Sequence, residues 1–187
     1  MKPDPGLYRR LLGPAWQSLH NQVRRLHLAD SVGRLEASGK FCITQGRNPF
    51  ARLIAWLLRM PRASDGASVR LVIKRRGPQE LWSRTFESIR LQTVQRLDDH
   101  GFLVERFDLF EICFRILVEG EGLRYQQEAF RVIIGKIGIP VPRRMAPKVS
   151  ALEMPSKASN QTAVDVEVSA PLVGLILKYR GEIRVPG

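Results

Sequence analysis

Three side chains with binding chemistry occupy alternate positions of one predicted strand: Trp82, Arg84 and Phe86. Alternate residues of a β-strand point to the same face, so an arginine would stand between two aromatic rings. If that face is the interior, the guanidinium must be neutralised, because an isolated buried charge is very costly. Glu105 is the natural partner, and its neighbour Arg106 is a further candidate for binding. Such an arginine can bind a carboxylate or phosphate group, although an internal Arg–Glu pair or an outward-facing stripe explains the spacing without a ligand.

Catalytic chemistry has less support in the sequence, which contains none of the common catalytic, metal-binding or nucleotide-binding motifs. Histidine occurs three times, and His20 and His27, seven residues apart on one helical face, have no carboxylate or thiolate at ligand spacing beside them. We therefore expect no cofactor and no metal ion, and binding rather than catalysis. An isomerase or cyclase that works by pocket shape, with Glu105 as its acid, is the enzymatic alternative.

A second candidate surface is an apolar, arginine-rich helix predicted from Pro49 to Met60. Arginine combined with tryptophan and leucine is typical of helices that lie on anionic membranes. This composition makes Arg52, Trp56 and Arg59 candidate membrane-contact residues. A helix that packs on a β-sheet with its arginines in water has the same composition, so both interpretations stay open.

The charge of the chain is strongly positive and unevenly distributed. Thirty Lys and Arg against 18 Asp and Glu give a net charge of +12, of which residues 1–64 contribute +8. This asymmetry favours an anionic partner, above all a phospholipid surface. Nucleic acid is a less favoured partner, because the arginines form no contiguous basic tract. A genome composition that favours arginine would explain the charge without any partner.

The two cysteines and the hydropathy of the chain indicate the compartment. Cys42 and Cys113 lie far apart in apolar strand-like runs, which predicts two buried free thiols, with a disulfide between them as the alternative. No signal-peptide pattern begins the chain, and no window approaches the roughly 18 apolar residues of a membrane span. We expect a cytoplasmic protein, with peripheral association with the inner membrane as an extension of that expectation.

The elements that must position these residues form one predicted domain of residues 1–187, with a basic, mainly helical region at 1–64 and an antiparallel β region at 65–187. Apolar residues three or four apart predict helices between Leu7 and Leu26, broken at Gly13-Pro14. A strand is expected near Arg34–Gln45, with Gly39 as a bulge. From Ser68 the period changes to two, and strands are predicted near 69–74, 82–86, 89–97, 102–107, 110–118, 123–134, 149–153 and 164–168. Residues 135–147 are expected to be irregular, and residues 170–179 to form a core strand or a short buried helix.

Strands this numerous, joined by short turns, predict an α+β fold that is mainly antiparallel β. We expect a curved sheet or barrel-like structure, with the N-terminal helices covering one face or the mouth.

Several segments together form a recognisable combination. They are Leu7-Tyr8-Arg9-Arg10-Leu11-Leu12-Gly13 with Leu26-His27, Gly39-x-x-x-Ile43-x-x-Gly46, Trp82-x-Arg84-x-Phe86, Val104-Glu105-Arg106-Phe107, and Pro171-Leu172-Val173-Gly174 through Tyr179-x-Gly181. The combination extends over nearly the whole chain and resembles a bacterial family of domains of unknown function. Members of that family occur alone or fused C-terminal to proteins similar to saccharopine dehydrogenase.

The resemblance implies no catalytic residue, since the activity of that family is unassigned. It adds His27 and Tyr179 as candidate ligand-binding residues, and it implies a functional link to a saccharopine-dehydrogenase-like reductase. One departure is visible, because Asp108 follows Phe107 where the family pattern leads us to expect glycine.

The leading functional hypothesis is a non-catalytic module that binds an apolar or amphipathic, lipid-like small molecule. Arg84 and Glu105 would form the polar end of its pocket, with Trp82 and Phe86 as lining. The alternative is a peripheral membrane or scaffold protein that acts through its basic N-terminal helices.

Overall fold

The computed structural model describes residues 6–30 and 32–186, which contain four helical segments and eleven strands. The helical segments are α1 (Leu7–Leu12), a 3-10 helix (Gly13–Ser18), α2 (Asn21–Leu26) and α3 (Pro49–Leu57). The strands are β1 (Arg34–Gln45), β2 (Ser64–Arg76), β3 (Gln79–Phe86), β4 (Ile89–Leu97), β5 (Leu103–Phe107), β6 (Phe110–Glu119), β7 (Gly122–Ile134), β8 (Ile137–Pro140), β9 (Lys148–Pro155), β10 (Gln161–Ala170) and β11 (Gly174–Arg184).

Ten of these eleven strands form a closed antiparallel barrel. Consecutive strands pair from β1 to β7, β7 pairs with β9, and β10 and β11 lead back to β1. β8 lies outside this ring as the hairpin partner of the second half of β7. Closure pairs the edges that an open sheet would leave exposed. The predicted mainly antiparallel, barrel-like fold is confirmed.

Alternate side chains of each strand point into the barrel, as the period of two predicts. In β6, Phe110, Ile112 and Phe114 line the interior, and in β3 the inward residues include Trp82 and Arg84. The β3 stripe therefore faces inward, and the outward-facing interpretation of its spacing is wrong. Ten strands give the barrel a wide interior, which its own side chains do not fill completely.

The N-terminal helices close one end of the barrel. Four of their side chains insert into the barrel at the end where β1 begins and are each at most 1% exposed: Leu7, Tyr8, Val23 and Leu26. α1 ends at Leu12, and the chain continues through the 3-10 helix that contains Pro14, so the predicted break is confirmed. The structure thus confirms that the helices cover a mouth of the barrel.

α3 lies at the opposite end and packs on β11 and β1. The Asn48 side chain caps it by accepting a hydrogen bond from the Phe50 N–H at 2.9 Å. The helix ends at Leu57, earlier than the predicted Met60. Arg59 adopts a left-handed conformation with φ 49°, and the N–H of Met60 donates to the carbonyl of Ala55 at 2.8 Å, which is a Schellman motif.

Gly39 does not form the predicted bulge, since it pairs regularly with Val69 on β2 and Ile183 on β11. The register of β1 shifts instead between Phe41 and Ile43. Gly39 allows a close approach of β1 and β11, because a Cβ atom there would overlap the carbonyl oxygen of Glu182.

The structure corrects or refines three further expectations. Residues 135–147 are only partly irregular, since they contain β8. In the segment 170–179, residues 171–173 form a turn and β11 begins at Gly174, so the strand alternative holds and the helix alternative is wrong. Both cysteines are free thiols, but only Cys113 is buried and Cys42 is exposed.

None of the helices in residues 6–30 and 32–186 has the length and apolar character needed to cross a bilayer.

Gly181→Ala is expected to lower the free energy of unfolding by roughly 2 kcal/mol or more, because overpacked sites strain their neighbours. The added Cβ would overlap the carbonyl oxygen of Lys40 and lie 2.6 Å from Cγ of Phe41. Gly66→Ala is the matched control in β2, since a Cβ there meets no described atom within 4 Å. Urea unfolding of both variants tests the close approach of β1 and β11 at Gly181. Equal midpoints would show that the space between these strands accommodates a Cβ atom.

Candidate ligand-binding cavity

An apolar cavity of about 300 Å³ lies inside the barrel on the side of α3. Inward side chains from strands all round the barrel form its wall, and most of them are aliphatic or phenylalanine. Ile54 and Leu58 of the α3 segment and the following Met60 line the cavity at its α3 end. Ligand pockets in proteins have volumes of about 300–1,000 Å³, so this cavity is large enough for a small molecule.

The polar groups on the cavity wall cluster on β3, β4 and β5. Nη1 of Arg84 donates to Oγ1 of Thr93 at 3.0 Å and to Oε1 of Glu105 at 3.3 Å. The same guanidinium lies 4.9 Å from the ring centroid of Trp82, a cation–π distance. The predicted pairing of Arg84 with Glu105 is therefore confirmed, and it places the ion pair inside the barrel.

Arg84 keeps its charge in this apolar environment. Burial by itself lowers the pKa of Arg84, but the neighbouring groups, led by the Glu105 carboxylate, raise it, and the net pKa is above its ordinary value. Nε and Nη2 of Arg84 have no hydrogen-bond partner among the described residues. The ion pair is neutral as a whole, yet it still offers N–H donors to an oxygen atom of a ligand.

A second polar cluster forms the floor of the cavity, where the strands meet the helical plug. Oη of Tyr125 lies 2.9 Å from Oε1 of Glu153 and 3.0 Å from Oη of Tyr8. Tyr8 in turn donates to Oε1 of Gln95 at 2.9 Å. On the far side of the carboxylate, Nε2 of His27 lies 2.7 Å from Oε2 of Glu153. Hydrogen bonds thus tie the plug to β4, β7 and β9.

Hydroxyl protons limit how this floor can be arranged. The Tyr125 hydroxyl has one proton, so it donates either to Glu153 or to Tyr8 at a given moment. A carboxylate is a stronger acceptor than a hydroxyl oxygen, which favours the hydrogen bond from Tyr125 to Glu153. Nδ1 of His27 has no hydrogen-bond partner among the described residues.

Burial raises the pKa of every tyrosine in the chain above the ordinary value of 10.0. At Tyr8 and Tyr125 the negative charge of Glu153 adds to the effect of burial. At Tyr179 the positive Arg84 opposes it, but burial still prevails. All three hydroxyls consequently stay protonated and able to donate hydrogen bonds at neutral pH.

The structure brings together most of the predicted ligand-binding residues. Trp82, Arg84, Phe86, Glu105 and Tyr179 all line the cavity. Phe86 and Tyr179 are in contact although they are far apart in the sequence, since their ring centroids are 5.3 Å apart.

Two predicted residues lie elsewhere. His27 is buried in the floor, where its ring lies 3.8 Å from that of Tyr8. Arg106 lies on the outer face of β5, is exposed, and donates from Nε to the carbonyl of Asp108 at 3.4 Å. Arg106 thus has no access to the cavity.

The predicted membrane-contact residues Arg52, Trp56 and Arg59 are exposed at the α3 end of the barrel.

Sequence reasoning missed Tyr8, Thr93, Gln95, Tyr125 and Glu153. Glu153 had a usable signal, because it follows Val149 and Ala151 at a spacing of two and so places an acid on an apolar strand face. Tyr8 is contributed by a helix, and strand periodicity could not assign it to the barrel.

The turn after Phe107 explains why glycine was expected there. Asp108 adopts a left-handed conformation with φ 51°, a region that glycine enters without steric penalty. Aspartate is one of the few other residues that tolerate it, so the turn between β5 and β6 forms without glycine.

Titration of the tyrosines tests their burial. At pH 10, half of the tyrosines of the urea-unfolded chain should be ionised, whereas the folded protein should show almost no tyrosinate absorbance in the ultraviolet. Because the folded-state pKa values are raised, the tyrosines stabilise the fold fully below pH 10, and this stabilisation is lost as the pH rises above 10. Tyrosinate should appear together with alkaline unfolding. Ionisation of even one tyrosine near pH 10 in the folded protein would contradict this arrangement.

Glu105→Leu is expected to lower the free energy of unfolding by about 2–4 kcal/mol, because it leaves Arg84 without its counter-charge. The double variant Arg84→Met with Glu105→Leu should regain most of this loss, since no unpaired charge remains. Glu119→Leu, which breaks an exposed ion pair with Arg124, is the control and should have little effect. If the double variant is as unstable as Glu105→Leu, the loss arises from packing rather than from the charge.

Comparison with known proteins supplies a family but no activity. Searches of the curated proteins and of the solved structures find no match. The profile of a family described as a domain of unknown function, DUF4166, matches residues 19–183. The matched region contains all eleven strands up to the penultimate residue of β11, together with α2 and α3, and hence every residue that lines the cavity. The chain therefore belongs to the DUF4166 family of domains of unknown function.

Proposed function

We propose that this domain binds an elongated, apolar small molecule and holds its single oxygen-bearing end against Arg84. The observation that carries the proposal is the position of Arg84, which lines an apolar cavity with room for a ligand and has N–H groups that no described residue accepts. Binding of a lipid-like molecule, without chemical conversion, follows from this combination.

The size of the cavity supports a resident ligand. Protein interiors are normally packed without voids larger than a water molecule. An empty cavity of this size would destabilise the fold by several kcal/mol at roughly 24 cal/mol per Å³. Water fills apolar cavities poorly, because it finds too few hydrogen-bond partners there. An apolar ligand would replace the missing contacts and stabilise the barrel.

The arrangement of the polar groups indicates how the ligand lies. Arg84, Thr93 and Glu105 form one group on the wall, and the remainder of the lining near the opening is largely apolar. An oxygen at one end of the ligand would accept a hydrogen bond from Arg84, while its chain would extend towards Ile54 and Leu58. Because Glu105 already neutralises Arg84, a neutral carbonyl or hydroxyl group, or a carboxylic acid in its protonated form, fits this position without adding an unpaired charge.

Catalysis by Glu105 has less support. Its Oε1 atom is held in the ion pair with Arg84, so Glu105 serves to neutralise a buried charge. The functional link to a saccharopine-dehydrogenase-like reductase and the cytoplasmic location stay predictions.

Native mass spectrometry of the gently purified protein tests for a resident ligand. We expect a stoichiometric adduct whose extracted component is apolar and bears one oxygen-containing end. A bound component that is highly polar or multiply charged would contradict the proposal.

Binding of a long-chain fatty acid that bears an environment-sensitive fluorophore tests the site itself, whether or not a ligand co-purifies. In the double variant Arg84→Met with Glu105→Leu, loss of a charged hydrogen bond should weaken binding by about tenfold or more. Arg106→Met removes an arginine from the outer face of the adjacent strand and should leave binding unchanged. Ala151→Phe should abolish binding by filling the cavity, whereas Ala163→Phe, on the outward side of β10, should not. Unchanged binding in Ala151→Phe would place the probe outside the cavity.

A further inference from the structure

We propose that the open end of the barrel docks on an anionic lipid bilayer through a mouth patch, which consists of Phe50, Leu53, Trp56 and Leu57 of α3 together with Leu109 and Leu172. The docking rests on its own observations. Its use as the route by which a ligand enters the cavity rests on the binding function proposed above.

The topology collects the mouth patch at one end of the molecule. In an antiparallel barrel, successive connections alternate between the two ends. Residues 46–63, 87–88, 108–109, 135–147 and 171–173 therefore lie at the open end, and the N-terminal helices lie at the opposite, plugged end. Of the thirteen exposed large hydrophobic side chains in the described parts of the chain, ten lie at the open end: the mouth patch, Met145, and three isoleucines of β7 and β8. An apolar concentration of this kind marks an interaction surface.

α3 is apolar on two faces, of which only one packs against the described parts of the chain. Ala51 and Ala55 are buried against the barrel, and Ile54 points into the cavity. The opposite face exposes the mouth-patch residues of α3, with Trp56 73% exposed. A helix that is apolar nearly all round is normally covered on every side. The unpaired face therefore requires a covering partner.

The charge at the open end identifies that partner as anionic. The sequence of the open-end connections contains seven Lys and Arg against two Asp and Glu, whereas the connections of the plugged end, together with residues 6–33, contain five against four. The segment 46–63 contributes four of these basic residues and no acidic one. Arg52 and Arg59 follow the edge of the apolar face, as basic residues do in helices that lie at a lipid headgroup boundary.

The shape of the patch favours a bilayer over a protein groove. Its residues come from three separate connections at the open end, β1–β2, β5–β6 and β10–β11, so they are spread round a rim rather than gathered in one groove. Ile54 and Leu58 extend the same apolar surface from the helix into the cavity. A docked barrel would thus present its opening directly to the acyl chains.

Co-sedimentation with phosphatidylcholine vesicles, with and without added phosphatidylglycerol, tests the docking. We expect binding only when phosphatidylglycerol is present, and weaker binding as the NaCl concentration rises. Of the three tryptophans, Trp16 and Trp82 are buried, so a blue shift of the emission on binding would report Trp56 entering the bilayer. Absence of binding, or equal binding to neutral vesicles, would overturn the proposal.

Paired variants locate the contact. Leu53→Ser with Trp56→Ser should reduce partitioning by about tenfold or more, because it removes the apolar anchor. Val32→Ser with Leu117→Ser removes exposed hydrophobic residues elsewhere and should have no effect. Arg52→Gln with Arg62→Gln should weaken binding to phosphatidylglycerol, whereas Arg9→Gln with Lys157→Gln at the plugged end should not. Equal losses of vesicle binding in both members of a pair would reject the bilayer as the partner. So would a concentration-dependent dimer that dissociates in the variant Leu53→Ser with Trp56→Ser.

The two proposals fail independently. Ala151→Phe should lose the fluorescent fatty acid and keep vesicle binding, since it changes only the cavity. Leu53→Ser with Trp56→Ser should lose vesicle binding and keep the fatty acid. If the unmodified protein binds the vesicles but not the fatty acid, docking stands and the proposed ligand does not.

Discussion

Closure of ten strands into one ring sets the volume that the rest of the chain must occupy. An eight-stranded barrel is just wide enough for its own side chains to fill, and each added strand widens the interior. In this barrel the N-terminal helices fill one end, with Leu7, Tyr8 and Leu26 buried among the strands. At the other end the inward side chains leave about 300 Å³ unoccupied. The plug and the cavity are therefore two consequences of the same strand number.

The interior of the barrel also contains charged side chains, and their pairing determines which polar groups line the cavity. Arg84 is paired with Glu105 on the wall, and Glu153 is held by Tyr125 and His27 in the floor. Each of these buried ionisable groups has a partner, as the cost of desolvation demands. The result is a cavity with oriented hydrogen-bond donors in an otherwise apolar lining. Such a cavity suits a ligand that is mostly hydrocarbon.

The two ends of the barrel differ because different segments of the chain close them. The plugged end is covered by helices whose apolar side chains point inward, and its connections are nearly neutral. The open end is bordered by a helix with an uncovered apolar face and by basic residues. Ligand binding and surface docking would then use the same end of one molecule, with α3 contributing to both.

The sequence by itself determined the strands and much of the cavity wall. The sequence placed β1 and β4 at their observed bounds. The alternation of Trp82, Arg84 and Phe86 put an arginine on one strand face and predicted Glu105 as its counter-charge. These predictions succeeded because alternation and charge compensation act over a few residues, or between strands that are close along the chain. Turn chemistry was similarly local, as the left-handed Asp108 shows.

Only the tertiary structure decided which distant groups meet. The bond between His27 and Glu153 joins residues 126 apart, and the contact between Tyr125 and Tyr8 joins residues 117 apart, and no local pattern encodes such pairings. The pairing of β6 with β7 and of β7 with β9 likewise settled that the sheet closes, which strand periodicity leaves undetermined. Arg106 was misplaced for a related reason, since it neighbours Glu105 in sequence but lies on the opposite face of the strand. Periodicity tells which side chains share a face, whereas the closed register tells what that face encloses.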